Sequence, residues 1–308
     1  MLAKEKNLSK KPRINLSERP WISLAVLWVI SIMVLIVVIV IANWLGVAGD
    51  SQYRPLITPT LAHVLVLFWI TPFILQLPNG KTSFHKYLDD IRLSRNKPFI
   101  PLLILGVSSS LILLLLLSIN SLIYRVVQGF PINLTFIRRL INLKNDLPPQ
   151  SLSWVNAFPS IFEEVSWRGI MLVLFMKKYS TKSSILITAL GFGSFHFLNL
   201  LDGVALDFVL RQVIFSSALG FFYGFMVLRV NSLMPAMLFH FLVNMFIGSF
   251  THYFQVYAPA RTQILYTLVN LPIATVILIG WVKVFCNHWI PKPANWQSKN
   301  VMEVGINK

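Results

Sequence analysis

Cysteine is nearly absent from the sequence. The single Cys286 excludes an internal disulfide framework and leaves no thiolate cluster to hold a metal, so any metal must be bound by His and carboxylate. Charge is scarce too. Only 12% of the 308 residues are Asp, Glu, Lys or Arg, against roughly 25% in an ordinary soluble domain. Four stretches, 20–49, 55–80, 98–124 and 230–260, contain none of these four residue types. Each exceeds the roughly 20 apolar residues that carry a helix across a bilayer. A water-soluble fold is thereby excluded, and an all-α integral membrane bundle is predicted. The first apolar run, Trp21 to Leu45, is too long for a cleaved signal peptide and lacks a small-residue cleavage pattern, so it reads as a mature helix.

What charge there is has one dominant sign: 27 Lys and Arg against 11 Asp and Glu, a net +16. In a soluble chain this would suggest nucleic acid. Here the basic residues cluster between apolar blocks, where they set topology and touch anionic lipid, so no nucleic-acid partner is expected. Eight spans are predicted, at about 21–46, 57–77, 99–124, 154–176, 183–201, 207–228, 233–251 and 263–284. With these spans, nineteen Lys and Arg fall on one side and six on the other, leaving Arg168 and Arg211 inside helices. Cytoplasmic loops hold the basic excess, so both termini are expected in the cytoplasm. The long connection 125–152 includes Ile132 to Leu143 around Arg138 and Arg139, a pattern that suits either an interfacial helix or a solvated loop.

Ionisable residues inside the spans are costly and need a reason. They concentrate between residues 160 and 245: Glu163, Glu164 and Arg168 in the fourth span, His196 in the fifth, Asp207 and Arg211 at the start of the sixth, and His240 in the seventh. Glu164 and Arg168 are four apart with the acid first, the favourable order for a helical ion pair. Asp207 and Arg211 repeat this spacing near a helix end and read as a structural pair. Glu163 projects about 100° from Glu164 and has no basic partner at helical spacing. It must face a hydrated cavity, a metal or another helix, or else be a protonated interhelical hydrogen-bonder. His240 and Asn244, four apart, share one face, and Asn199 lies nearly on the face of His196. Two His and an unpaired Glu on three helices form the set that peptide hydrolysis needs, a base for water and donors or a metal for the oxyanion. His63 lies in a span with no other ionisable group and reads as structural. His85 and His252 read as loop residues, and His288 follows the last span.

These residues fall into three motifs. Glu163-Glu164-Val165-Ser166-Trp167-Arg168 fits E-E-x-x-x-R, Phe192-Gly193-Ser194-Phe195-His196 fits F-x-x-x-H, and His240-Phe241-Leu242-Val243-Asn244 fits H-x-x-x-N. In this order, on three polar-bearing spans, they resemble the CAAX-protease and bacteriocin-processing family of intramembrane endopeptidases, which includes the Ras-converting prenyl protease. The resemblance covers about residues 150–250. It implies that Glu163 and His196 activate the attacking water, directly or through a metal. It further implies that His240 and Asn244 bind the oxyanion or complete a metal site, that Glu164 and Arg168 support the site, and that Phe192 packs beside the cavity, with Asn199 near His196 as a further supporting residue. Glu163, His196 and His240 would meet the three-ligand count of a catalytic zinc, so a single divalent metal and an unaided carboxylate both stay open.

The chain then divides into a basic cytoplasmic N-terminus (1–20), N-terminal helices and the long loop (21–152), a catalytic core (153–251), and a last helix with a cytoplasmic tail (252–308). The compact single chain resembles the bacterial members of the family, placing it in a bacterial cell membrane with lipid and a peptide or protein substrate as partners. The family also contains bacteriocin-immunity proteins and regulators. A proton- or ion-coupled transporter, or a non-catalytic immunity or scaffold protein with the same fold, are the competing readings.

Overall fold

The computed structural model describes residues 16–46, 54–75, 83–136, 157–201 and 203–290. Among them there is no strand, and the fold is an all-α membrane bundle. Helix α1 is Pro20–Trp44, opened by proline at its first position, where the missing N–H costs nothing. Helix α2 runs from Arg54–Val64 through a π-helical stretch, Leu65–Ile70, into Thr71–Leu75. A short α3, Phe84–Asp90, is capped by Ser83, and α4 is Phe99–Val127. Helix α5 starts at Pro159–Glu164, widens into a π-helical stretch, Val165–Met171, and ends with Leu172–Met176. Helix α6, Thr181–Phe195, tightens into a 3-10 turn over His196–Leu200. Helices α7 (Leu206–Val230), α8 (Met234–Tyr257) and α9 (Ala260–Trp289) complete the bundle.

The eight predicted spans correspond to α1, α2 and α4 to α9. Six of these helices are long and apolar enough to cross a membrane on composition alone. The other two are α5, which carries Glu163, Glu164 and Arg168 within its short length, and α8, Met234–Tyr257, which contains no Asp, Glu, Lys or Arg. Two of the three motifs lie on these two helices.

Three histidines differ from their sequence positions. His85 lies in α3, His252 inside α8 and His288 in the last turn of α9. Helices α8 and α9 run on past their expected ends, and α3 is a separate short helix in the expected loop, started by the Ser83 cap. Most of the stretch Ile132 to Leu143 lies outside the described residues, as do the N-terminal 15 residues and the tail from 291.

Packing follows small residues. A Cβ at Gly106 of α4 would come within 2.9 Å of the Pro235 carbonyl oxygen, and one at Gly193 of α6 within 2.6 Å of the Val213 carbonyl oxygen. Only glycine lets α4 close on α8, and α6 on α7, at that distance. Helix α1 stands outside this core, with Val29, Met33, Ile36 and Val40 exposed as a lipid-facing surface. At one end of the bundle the segment after α3 is locked to the α7–α8 turn. Arg92 Nε and Arg95 Nη1 both donate to Asn231 Oδ1, at 3.1 and 2.7 Å, and Leu233 N–H donates to the Arg92 carbonyl. Arg95 also binds Asp89, holding that carboxyl below its ordinary range, while burial lowers the Arg92 guanidinium to about 10.

Candidate active site

The ion pair expected from spacing is present. Arg168 Nη1 donates to Glu164 Oε1 at 2.9 Å, and the two side chains are 1% and 0% exposed. The guanidinium carbon lies 4.3 Å from the Phe192 ring centroid and 4.7 Å from that of Tyr223. A buried arginine is thus neutralised by one carboxylate and faced by two aromatic rings, the setting in which cation–π attraction is strongest.

Glu164 Oε1 accepts a second hydrogen bond, from His240 Nδ1 at 2.8 Å. A carboxylate can only accept, so Nδ1 carries the hydrogen. The other ring nitrogen, Nε2, faces Glu163 Oε2 at 3.8 Å. Tyr223 stacks on the His240 ring at 5.0 Å and 25°, and Phe192 meets it edge-on at 5.8 Å. The imidazole is therefore fixed by one strong hydrogen bond and two rings. Glu163, unlike its neighbour, keeps 28% of its side chain exposed. It lines a cavity of about 310 Å³ between α1, α2, α5 and the end of α6, together with Ser166, Trp167, Phe195 and His63.

His196 lies inside the span Thr181–Leu200, at the head of the 3-10 turn that ends it. Its Nδ1 lies 3.1 Å from the Phe192 carbonyl oxygen, and its Nε2 3.4 Å from Ser216 Oγ. Its ring also meets Phe192 edge-on, at 5.3 Å. Asn199, three residues on, donates to Gln212 Oε1 at 2.8 Å. Residues i and i+3 eclipse on a 3-10 helix, so His196 and Asn199 reach Ser216 and Gln212, themselves one turn apart on α7. Asn244 is exposed, whereas His240 is buried. Four residues on a helix advance about 6 Å along the axis, enough to carry Asn244 out of the packed layer that holds His240. Asp207 and Arg211 pair at 3.2 Å, as expected.

Phe192 touches Arg168, His196 and His240, so one ring adjoins all three motifs. Tyr223 had no counterpart in the sequence reading. It lies among apolar residues of α7, and only its contacts across helices mark it. The proposed metal donors come together incompletely. Glu163 Oε2 and His240 Nε2 approach each other, but His196 is turned to the Phe192 carbonyl and Ser216, and no three His, Cys, Asp or Glu gather as a metal site among the described residues. The donor set present does not fit a three-ligand zinc.

Residues 147–246 match the family model of the type II CAAX prenyl endopeptidase Rce1-like proteins. The chain carries an Rce1-like segment. That segment spans all three motifs and runs from the approach to α5 into α8, which supports the resemblance drawn from the motifs. The three remaining spans of the N-terminal half and α9 lie outside it. No curated protein and no solved structure matches the chain.

Proposed function

We propose that this protein is an intramembrane endopeptidase of the glutamate type, in which Glu163 activates water for attack on a peptide carbonyl. The carrying observation is the difference between two adjacent carboxylates. Glu164 is fully buried, and one of its oxygens is held by both Arg168 and His240, so it has a positive partner and no access to substrate. Glu163 opens onto the cavity and faces His240 Nε2 at 3.8 Å. A general base must be reachable by the water it deprotonates, and Glu163 alone of the pair meets that condition.

In this mechanism, water oxygen attacks the carbonyl carbon while Glu163 takes one of its protons. The tetrahedral oxyanion needs hydrogen-bond donors, for which the motif residues Asn244 and His196 are the candidates, though neither is among the residues that line the cavity. Glu163 returns its proton to the leaving nitrogen as the C–N bond breaks. His240, with Nδ1 committed to Glu164, places its Nε2 3.8 Å from Glu163 Oε2 and bounds that side of the carboxylate. Glu164, Arg168, Tyr223 and Phe192 form the rigid support that keeps that imidazole in orientation. The low-dielectric surroundings strengthen each of these contacts.

The substrate in this reading is a membrane-associated peptide or prenylated protein tail, and the enzyme is a bacterial cell-membrane protein with both termini in the cytoplasm, an orientation that the nineteen-to-six distribution of Lys and Arg supports. The test is cleavage of an internally quenched farnesylated CAAX peptide by detergent-purified protein. Wild type should cleave it and Glu163→Gln should not. Equal turnover by the two would overturn the assignment of Glu163.

A further inference from the structure

His63 is the one other ionisable residue on the cavity that Glu163 lines; the remaining lining side chains are apolar except Ser31, Ser166 and the tryptophans. Its sequence setting, a lone His in an otherwise uncharged span, marks it as structural. The structure gives it a more specific position. His63 Nδ1 lies 2.6 Å from the Pro59 carbonyl oxygen. A carbonyl only accepts, so Nδ1 bears the hydrogen and, in the neutral ring, Nε2 is left as a lone-pair acceptor. The ring stacks on Phe162 at 5.5 Å and 20°, and Phe162 is the residue immediately before Glu163.

The backbone on both sides of the cavity is built alike. His63 stands two residues before the π-helical stretch Leu65–Ile70, and Glu163 two residues before the π-helical stretch Val165–Met171. Val66 and Leu67 from the first, and Ser166, Trp167 and Ile170 from the second, line the cavity. Such wide turns are rare in helices and concentrate at functional sites. Here two of them flank one cavity, each carrying an ionisable side chain at its start.

A water molecule has two hydrogens to donate, and a carboxylate base takes only one. In a mostly apolar cavity the second needs an acceptor. We infer that His63 Nε2 is that acceptor, so that the attacking water is held between Glu163 and His63 with a lone pair free for the carbonyl carbon. This rests on the assignment of Glu163 as the base. In the reaction the first proton passes to Glu163 and then to the leaving amine. The second stays on the attacking oxygen, hydrogen-bonded to His63, and no co-reactant is required.

The experiment compares four variants on the quenched farnesylated CAAX peptide, with folding followed by size-exclusion profile. His63→Phe keeps the ring stacked on Phe162 and removes the acceptor; His63→Gln supplies an amide oxygen and removes the ring. The expected result is kcat at least about tenfold lower in His63→Phe with KM within about twofold of wild type, and a substantial part of that loss recovered in His63→Gln. A stacking role alone predicts the reverse order, and His63→Phe turning over like wild type overturns the inference. Should His63→Phe fail to fold, His63→Leu against His63→Gln makes the same comparison, and equal kcat in those two overturns it. Glu163→Gln separates the two assignments. If it is inactive while His63→Phe is fully active, His63 is excluded and Glu163 stands. If Glu163→Gln is active, or wild type cleaves neither this peptide nor a mixture of unprenylated ones, both fall.

Discussion

His240 Nδ1 lies 2.8 Å from Glu164 Oε1, joining α8 to α5 through a hydrogen bond that is buried at both ends. The same carboxylate oxygen holds Arg168 at 2.9 Å. Glu164 is therefore the structural centre of the site, while Glu163, one residue earlier, stands at its open edge. The two positions should respond to substitution in opposite ways.

Glu163→Gln nearly preserves shape and removes the base, so the protein should elute as a folded monodisperse species with activity lost. Glu164→Gln and Arg168→Ala each break a buried pair, which typically costs about 3–5 kcal/mol. Both should lower folded yield and melting temperature. The measurement is thermal unfolding in one detergent beside peptide cleavage. An aggregating Glu163→Gln together with an active, stable Arg168→Ala would reverse the division of roles.

Tyr223 stacks on His240 and lies under the Arg168 guanidinium. Aromatic stacking is worth about 0.5–1.5 kcal/mol and a desolvated cation–π contact about 2 kcal/mol. Tyr223→Phe retains both contacts and should melt close to wild type. Tyr223→Leu loses both and should be less stable by about 2–3 kcal/mol, with kcat reduced because the His240 ring is no longer fixed. Equal melting of the two variants would show that the ring face does not hold the site together.

Much of the fold was legible because its signals are local. Apolar run length gave the eight helices, and i, i+4 spacing gave Glu164–Arg168 and Asp207–Arg211. Tertiary contacts carry no such signature. The sequence resemblance coupled Glu163 with His196, yet the nitrogen facing Glu163 belongs to His240, because Glu164 draws His240 Nδ1 inward and turns Nε2 towards Glu163. The helix period aligned His240 with Asn244 but could not show where the packed layer ends between them. Neither π-helical stretch is written in composition, so the cavity shared by His63 and Glu163 could only be found in three dimensions.

Topology is tested without reference to chemistry. Reporter fusions after residue 20 and after residue 290 should both report the cytoplasm, since nineteen of the Lys and Arg fall on that side and six on the other. A C-terminus on the outer face would require an odd number of spans and would overturn the count of eight.

Metal dependence is the sharpest test of the mechanism, because the resemblance leaves zinc and unaided carboxylate chemistry equally available. A catalytic zinc takes three protein donors at about 2.0–2.2 Å, leaving a fourth position for water, so every pair of donors must lie within about 3.5 Å of one another. Glu163 Oε2 and His240 Nε2, at 3.8 Å, come near that condition. His196 does not join them: Nδ1 is committed to the Phe192 carbonyl, and Nε2 lies beside Ser216. Recruiting it would mean turning Nε2 away from Ser216 at the end of α6, where the Nδ1 bond to the Phe192 carbonyl, the 3-10 turn and the Asn199–Gln212 bond fix ring and backbone. Two donors alone bind zinc weakly, so purified protein should carry well under one equivalent by elemental analysis. Peptide cleavage should survive prolonged chelation, with Glu163→Gln inactive under either condition. Loss of cleavage on chelation, restored by one equivalent of zinc, would overturn the glutamate-type reading and require His196 to swing towards Glu163 in the working enzyme.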